Sequence, residues 1–408
     1  MRYIFSILVL FISYSSFSQD FQWVKQIRGD NQDFTNFIEI DSLKNSYSLG
    51  VTESRIFDID HSPNNSQIVD NTNTWASPLR EVYLIKSDEN GSFIWGRTYS
   101  IRKTGDEVYG LKIGHDGFIY ILAMISEFDA LSNVIYGYVS IIKVDINGNE
   151  ISRIKFKNLN NWQTGTLYVN SFDIDSSGNF FITGYFTNNV KLVLSNPNLD
   201  LNANGIGSYI IKVDNTGNII WKKTFDYQAS RNEIVNIGID GNPYLLIDTV
   251  DSNNKSTQRL FKIDLTNGNT IWEKEFEDQI PELFHISNNG NLVIGSKWNK
   301  EIGGNIDVDP SNNNFLLNGN GYNNRYFLWL NSNGDFIQVR EFRGNAPFSA
   351  NNISPKKITS DEYNNYYIVG TFGGTVDFDP SNNSYLLTEE ATQLGEGFFL
   401  KFDSDYNF

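Results

Sequence analysis

Hydrophobic and polar residues alternate in short runs along almost the whole chain, and the runs form two recurring phrases. Each phrase is an alternating apolar run, a turn of the type D-x-x-G-N, and a second alternating run rich in Ile, Val, Tyr and Phe. Alternation with a period of two between such turns is typical of antiparallel hairpins. The first phrase occurs at 38–50, 111–123, 172–184, 237–247, 284–295 and 357–370. The second occurs at 86–99, 143–156, 212–225, 262–276 and 331–342, with a shortened copy at 401–408.

The turn residues fit this interpretation. In K-V-D-N-T-G-N-I-I-W, Asp214 is expected to accept hydrogen bonds from backbone amides of the turn, and Gly217 to take the positive φ that ends a type I turn with a bulge. Asp175 and Gly178 occupy the same positions in the other phrase. One unit therefore contains four strands: A and B joined by the first phrase, and C and D joined by the second.

Six units of this kind predict an all-β fold, a six-bladed β-propeller of four-stranded antiparallel blades. A β-solenoid would need a shorter and stricter period, and two sandwiches would not explain six copies of one pattern. The segment F-Q-W-V-K-Q-I at residues 21–27 resembles strand D, and Phe408 falls two positions before the Trp of that strand. We therefore expect residues 21–27 to form strand D of the last blade and close the ring, which removes exposed sheet edges.

The pattern W-x-K-x-F, I-x-I-D-x-x-G-N-x-Y-x-x-G, V-D-F-D-P and F-x-x-K-x-D-x-x-G resembles the SBBP-type β-propeller repeats of secreted Bacteroidota proteins, and it covers essentially the whole mature chain. The clearest unit is the last, GTVDFDPSNNSYLL at 374–387 with GFFLKFD at 397–403. The resemblance implies a secreted bacterial propeller and says little about activity. The chain departs from it in having six units rather than seven, and in carrying Ser152 and Gln338 at the Trp position.

Residues 1–18 have the charge, apolar run and small residues of a secretory signal peptide, which leaves residues 19–408 as a single β-propeller domain in a secreted or periplasmic protein. The chain has no Cys, so disulfides and a lipid anchor are excluded. A net charge of −16, dispersed along the chain, disfavours nucleic acid and anionic lipid as partners. We expect no membrane insertion and a monomer.

In a blade of this kind the A–B and C–D turns share one face, and the B–C and D–A connections share the other. The B–C connections are long, running approximately over 51–80, 124–137, 185–207, 248–258, 296–324 and 371–396, so any binding surface is expected on this long-loop face. Trp23, Trp95, Trp221 and Trp272 fall in strand D and are expected to pack between blades, and Trp329 falls in a strand. Trp75, Trp162 and Trp298 fall in or beside variable connections, where they either stack on sugar rings or pin the loops.

Two matching segments, D-V-D-P-S-N-N and D-F-D-P-S-N-N, offer alternating carboxylates followed by side-chain amides. Oxygen ligands of this kind suit Ca²⁺, which makes Asp307, Asp309, Asp377 and Asp379 candidate metal ligands. The segments lack the Gly and distal Glu of an EF-hand, and Pro310 and Pro380 also fit a strand that ends in an Asx turn. The alternative is therefore that no cofactor is bound.

Catalytic motifs are absent: the three His residues, His61, His115 and His285, lie in different units, and there is no H-E-x-x-H, G-x-S-x-G or Cys nucleophile. We expect a non-enzymatic propeller that binds a glycan or a protein through its long-loop face. One alternative is a hydrolase or lyase with a metal or acid/base site at the ring axis, where Glu39, Lys112, Asp173 and His285 lie on A strands. The other is a structural envelope scaffold.

Overall fold

The structure is a computed structural model. It describes residues 25–72, 79–101, 103, 105–129, 134–158, 166–193, 199–225, 233–250, 256–300, 304–311, 313–318, 321–342, 352–381, 383–389 and 396–408. Every regular element in these ranges is a β-strand, and every pairing is antiparallel. Within the same ranges there is no helix with the length and apolar character that crossing a membrane requires.

The strands follow the predicted units in chain order. After β1 (Arg28–Gly29), unit 1 contains β2 (Asp33–Ile40), β3 (Ser46–Thr52), β4 (Ile56–Asp58), β5 (Ile68–Asp70), β6 (Glu81–Ser87) and β7 (Phe93–Thr98). Unit 2 contains β8 (Glu107–Ile113), β9 (Ile119–Asp129), β10 (Val134–Val144) and β11 (Glu150–Asn158). Unit 3 contains β12 (Ser171–Ile174), β13 (Phe180–Val193), β14 (Leu199–Val213) and β15 (Ile219–Phe225).

Units 4 to 6 repeat the arrangement. Unit 4 contains β16 (Ile234–Ile237), β17 (Pro243–Val250), β18 (Ser256–Ile263) and β19 (Thr270–Glu277). Unit 5 contains β20 (Gln279–Ile286), β21 (Leu292–Lys300), β22 (Asn305–Asp307), β23 (Leu316–Asn318), β24 (Gly321–Leu330) and β25 (Phe336–Phe342). Unit 6 contains β26 (Asn352–Ser360), β27 (Tyr366–Gly373), β28 (Thr375–Asp377), β29 (Leu386–Thr388) and β30 (Glu396–Phe402).

Units 1 to 5 are each a four-stranded sheet in which A, B, C and D pair in sequence order, as in β2-β3-β6-β7 and β16-β17-β18-β19. Units 2 and 3 are further joined where Lys157 and Asn158 of β11 pair with Val193 and Leu192 of β13. The described part of unit 6 has three strands, in the order β26-β27-β30. The repeated four-stranded units predicted from the sequence are therefore present.

The turns are built as predicted. The Oδ1 atom of Asp214 accepts hydrogen bonds from the amides of Thr216 and Asn218 at 2.8 and 2.9 Å, and Gly217 has a φ of 94°. Asp175 accepts the matching pair from Ser177 and Asn179, both at 2.9 Å. Because these interactions lie within five residues, the local sequence is enough to predict them.

Most of the core lies between consecutive units, and one smaller cluster, which contains Phe57 and Tyr83, lies within unit 1. Five clusters of buried apolar side chains each join one unit to the next, from units 1 and 2 through units 5 and 6. The first strands are also neighbours in order, with β2 beside β8, β8 beside β12, β12 beside β16, β16 beside β20 and β20 beside β26. No unit could bury both of its faces alone, which explains why the pattern must recur.

In units 1 and 3 the Trp of strand D connects the unit to the following one. The indole Nε1 of Trp95 donates to the carbonyl oxygen of Ile146 in the C–D turn of unit 2, at 3.0 Å. Trp221 donates to Leu265 in the C–D turn of unit 4, at 3.1 Å. The turn glycine leaves room for the ring, since a Cβ at Gly268 would lie 2.8 Å from Trp221. The predicted packing of Trp95 and Trp221 between units is confirmed.

The B–C connections are more regular than predicted. In units 2 and 3 they extend the strands, so that β9 and β10 each have 11 residues and β13 and β14 have 14 and 15. In units 1, 5 and 6 each connection contains a short hairpin, formed by β4 with β5, β22 with β23 and β28 with β29. Backbone hydrogen bonding explains why these connections are regular and not irregular loops. A long connection beside a sheet pairs its backbone N–H and C=O groups by forming additional strands.

Candidate functional site

The structure places one of the three candidate ligand-binding tryptophans in the interior. Trp298 is 0% exposed and packs 5.6 Å from the ring of Tyr326, in the cluster between units 4 and 5. Strand β21 continues to Lys300, so Trp298 belongs to a strand and not to a loop. A buried ring offers no face to a sugar, and the predicted exposure of Trp298 is corrected. Trp75 and Trp162 lie outside the described residues, as does Trp23.

The candidate metal ligands close the short hairpins. The Oδ1 atom of Asp307 accepts hydrogen bonds from the amides of Asp309 and Phe315, at 3.0 and 2.9 Å. Asp377 accepts the equivalent pair from Asp379 and Tyr385, at 3.1 and 2.8 Å. In both hairpins the next Asp accepts from a serine amide two residues later, at 2.9 Å.

These carboxylates are therefore engaged as Asx turns, the alternative given for Pro310 and Pro380. Asp58 and Asp60 in unit 1 repeat the arrangement through Gln67 and Ser62. Over the described ranges, no group of three or more His, Cys, Asp or Glu side chains is placed to hold a metal ion.

The long-loop face presents a tyrosine pair that the sequence reasoning missed. Tyr168 precedes β12 and stacks on Tyr185 of β13, with ring centroids 4.3 Å apart and planes inclined by 10°. Its backbone is fixed as well, because the Tyr168 amide donates to the Tyr185 carbonyl at 2.8 Å. Tyr185 is buried whereas Tyr168 is 43% exposed. The pair is thus a supported aromatic ring with an open side.

Gly184 permits this geometry. A Cβ at position 184 would overlap the carbonyl oxygen of Tyr168 and lie 2.9 Å from the α-carbon of Val169. Only Gly lets the segment before β12 approach β13 so closely. The signal in the sequence was the dipeptide Gly-Tyr at the end of the first phrase of unit 3.

Charged and hydroxyl groups continue this surface toward unit 1. Tyr109 donates its hydroxyl to Glu107 Oε2 at 3.2 Å, and Arg80 Nη1 contacts Glu107 Oε1 at 2.9 Å. Arg80 also contacts Glu53 across 3.4 Å. Burial, and next the charge of Glu107, raises the pKa of Tyr109, so the phenol stays protonated and serves as a donor. Glu53, Arg80 and Glu107 with Tyr109, Tyr168 and Tyr185 are called the tyrosine patch below.

The axial candidates on the A strands also come together, at the opposite end of the units. Glu39, Lys112, Asp173 and His285 each lie two residues before the A–B turn, so they sit near the short turns and not near the long-loop face. Lys112 Nζ lies 3.1 Å from Asp173 Oδ1. Glu39 interacts electrostatically with Lys112 and with Lys357 of unit 6. Spacing alone could not show this convergence.

The other two histidines have surface or packing roles. His61 Nε2 lies 2.8 Å from Ser87 Oγ, and its ring packs edge-on to Phe93 at 5.7 Å. His115 is exposed in the A–B turn of unit 2. A cavity of about 360 Å³ lies at the edge of units 1 and 2, lined by Tyr99 and Arg153 among others. Arg153 already donates there to the Tyr99 carbonyl, at 2.9 Å.

No family model matches the chain, and no curated protein matches it. Among solved structures, the chain is similar to one described as "Crystal structure of the eukaryotic initiation factor", at 10% identity and a TM-score of 0.33, over 75% of this chain and 78% of that chain. A likeness at this level carries no argument about fold or function. The resemblance to SBBP-type repeats stays a prediction.

Proposed function

We propose that the six units close into a β-propeller ring, with residues 21–27 as the fourth strand of unit 6. The described part of unit 6 has three strands where the other five units have four. Apolar side chains also remain uncovered on the facing sides of the two terminal units, with Ile38 of unit 1 51% exposed and Phe399 of unit 6 61% exposed. Closure would bring these surfaces together and bury them.

Ile27 supports closure because it packs where a strand D residue of the preceding unit should. It lies four residues after Trp23, as Phe276 lies after Trp272. Ile27 packs against Phe57 and Ile59 beside the short hairpin of unit 1. Phe276 shares a cluster with Ile306 and Val308 of the hairpin in unit 5.

Lys25 supports the same register. It lies two residues after Trp23, as Lys274 lies two residues after Trp272, and Lys274 Nζ is 3.7 Å from Asp335 in the C–D turn of unit 5. The matching C–D turn of unit 1 runs from Asp88 to Ser92, and Asp88 takes the position of Asn331. Hydrogen bonding from Ser92 lowers the pKa of Asp88, and Lys25 lowers it further. Lys25 therefore interacts with the C–D turn of unit 1, as Lys274 interacts with the C–D turn of unit 5.

The function that the geometry supports best is non-enzymatic binding of a neutral glycan on the long-loop face, by a secreted protein once residues 1–18 are removed. The observation that carries this proposal is the exposed ring of Tyr168, held rigidly on Tyr185. A flat aromatic face covers the C–H groups of a sugar, and adjacent polar groups bind its hydroxyls. Arg80 lies between two glutamates in the tyrosine patch, so the patch has no excess positive charge to attract an acidic glycan.

The hydrolase or lyase alternative would use the axial groups as acid and base. Lys112 and Asp173 pair with each other, which occupies two of the four candidate groups. To act as acid and base, these two groups would have to separate. The tyrosine patch can receive a ligand without such a rearrangement, and binding is therefore preferred to catalysis.

The test is a glycan array with the mature chain and three variants. We expect Tyr168→Ala to lower binding to the neutral glycans recognised by the unmodified protein at least tenfold, and Tyr168→Phe to retain it, because stacking uses the ring and not the hydroxyl. The matched control is Tyr363→Ala, which removes a 71% exposed tyrosine from an A–B turn on the opposite face. Binding that is unchanged in Tyr168→Ala, or an array with no neutral glycan bound, would refute the proposal.

A further inference from the structure

The cavity of about 360 Å³ at the edge of units 1 and 2 lies between their D strands. One side is formed by the end of β7 and the segment after it, and the other side by β11. The side chains that determine its chemistry are Thr98, Tyr99 and Ile101 of unit 1, and Glu150, Arg153 and Lys155 of unit 2. Ligand pockets span about 300–1,000 Å³, so a cavity of this volume suits one compact molecule.

Arg153 carries an unpaired hydrogen-bond donor at this cavity. Its guanidinium donates to Glu150 from Nε at 2.9 Å and from Nη2 at 2.7 Å, and Nη2 also donates to the carbonyl oxygen of Tyr99 at 2.9 Å. Only 8% of the side chain is exposed. The remaining nitrogen, Nη1, is buried and has no hydrogen-bond partner in the described part of the chain. Buried donors are nearly always paired, so Nη1 indicates an acceptor that a ligand supplies.

The guanidinium is particular to this pair of units. Arg153 lies one residue after the Trp position of strand D, and in other units the same place is taken by Gly96, Lys222, Glu273 and Val339. Its hydrogen bond to Tyr99 shows that Arg153 faces unit 1, whereas Phe156 of the same strand packs in the cluster between units 2 and 3. The unpaired donor is therefore not part of the repeated framework.

The charges around the cavity are balanced, which favours a neutral ligand. Glu150 pairs with Arg153, and Lys155 lies 2.7 Å from Glu127. An ionic ligand would upset this balance, whereas a neutral acceptor would not. An amide carbonyl is such an acceptor, because its oxygen accepts N–H donors close to the plane of the amide. Ile101 is 51% exposed and adds apolar surface beside the charged groups.

We propose that this cavity binds an N-acetylated amino sugar, with its acetamido carbonyl oxygen accepting a hydrogen bond from Arg153 Nη1. Ile101 provides apolar surface for the acetamido methyl group, and Thr98 and Glu150 provide hydrogen-bonding partners for the ring hydroxyls. A peptide amide offers the same carbonyl but not the hydroxyls, and an extended peptide is too long for a cavity of this volume. The proposal does not rest on the tyrosine patch, which is formed by other residues.

The test is calorimetric titration of the mature chain carrying Tyr168→Ala, so that the tyrosine patch does not contribute. We expect N-acetylglucosamine to bind. Glucose, the matched sugar without the acetamido group, should bind about tenfold more weakly or less, because Nη1 then stays unpaired. N-acetylglycinamide, which has the amide without the sugar ring, should also bind about tenfold more weakly or less. No binding of N-acetylglucosamine, or equal binding of either other compound, would overturn the proposal.

Arg153→Lys tests the donor itself, because it keeps a positive charge beside Glu150 and removes Nη1. It should weaken N-acetylglucosamine binding about tenfold or more. Arg325→Lys is the matched control. Arg325 is a buried guanidinium in unit 5 that donates to both oxygens of Glu282, at 2.9 and 3.2 Å, so the same substitution there should leave binding unchanged.

A second variant guards against misfolding of Arg153→Lys. Thr98→Phe leaves Arg153 and its hydrogen bonds in place while filling part of the cavity, so it should weaken N-acetylglucosamine binding by a similar factor. Thr224→Phe is its control, because Thr224 holds the equivalent position in strand D of unit 3. Unchanged binding in Arg153→Lys or in Thr98→Phe would contradict the assignment of the site to this cavity.

Discussion

Glu233 illustrates at the scale of one residue how closely adjacent units depend on each other. It is 1% exposed, and its carboxyl group receives hydrogen bonds from Asn170 and Ser208 of unit 3. Burial raises the pKa of Glu233 to about 7, and the charge of Asp248 raises it further, although the hydrogen bonds oppose the shift. The folded protein thus favours the protonated form.

The expected consequence is a pH-dependent stability. Because the folded pKa lies above the ordinary value of 4.5, the contribution of Glu233 is fully present below pH 4.5 and is lost as the pH rises through about 7. Glu233→Gln keeps the hydrogen bonding without the charge. It should raise the free energy of unfolding by roughly 3 kcal/mol at pH 8 relative to the unmodified protein, and by little at pH 4.5.

Urea denaturation at both pH values measures this difference. Glu89→Gln, at an exposed turn position, is the control and should show no such pH dependence. A Glu233→Gln variant with equal effects at pH 4.5 and pH 8 would show that the carboxyl is not protonated in the fold.

At the scale of the element, the A strand explains why the first phrase ends in Gly: this Gly lies on the B strand, directly opposite the A strand. The A strands carry a bulge between Thr35 and Phe37 in unit 1 and between Pro355 and Lys357 in unit 6. The bulge brings a backbone carbonyl against the B strand at Gly50 and Gly370. The repeated Gly therefore accommodates a bend in the inner strand, where the units are closest together.

Gly370→Ala tests this explanation. An added Cβ would overlap the Ser354 carbonyl oxygen and lie 2.7 Å from the ring of Phe398. We expect the substitution to lower the free energy of unfolding by roughly 2 kcal/mol or more, since backbone cannot move aside as a flexible side chain does. Thermal denaturation provides the measurement.

The control for this substitution is Gly397→Ala in the neighbouring strand β30. The nearest atom to a Cβ there is 3.9 Å away, which is ordinary contact. If both variants melted at the temperature of the unmodified protein, the bulge would not require Gly.

The sequence predicts the strands and turns well because these depend on interactions within a few residues, such as those of Asp214 and Gly217. It predicts the exposure of Trp298 poorly, because nothing local shows that β21 runs on to Lys300. The pairing of Lys112 with Asp173 escapes prediction because it joins the A strands of different units. The stacking of Tyr168 on Tyr185 escapes prediction because the sequence does not show that the pairing with β13 continues into the segment before β12.

At the scale of the whole molecule, the proposed closure predicts that Ile27 contributes more to the stability of the fold than a residue of an extended segment ordinarily does. Ile27→Asp would place a charge against Phe57 and Ile59, and should lower the free energy of unfolding by roughly 1–3 kcal/mol. Gln26→Asp, at the exposed neighbouring position, should have little effect. Thermal melts of both variants provide the comparison, and equal melting temperatures would argue against residues 21–27 as part of the ring.

The hydrogen bonds from indole nitrogens to the following unit also determine the order in which the units can complete their packing during synthesis. Trp95 can form its hydrogen bond only after Ile146 has been translated, and Trp221 only after Leu265. These two units therefore leave the ribosome before the residue that completes their packing. The delay is about one unit for these pairs. Under the proposed closure, residues 21–27 can pair with unit 6 only after nearly the entire polypeptide has been made, so this pairing should be the slowest step of folding.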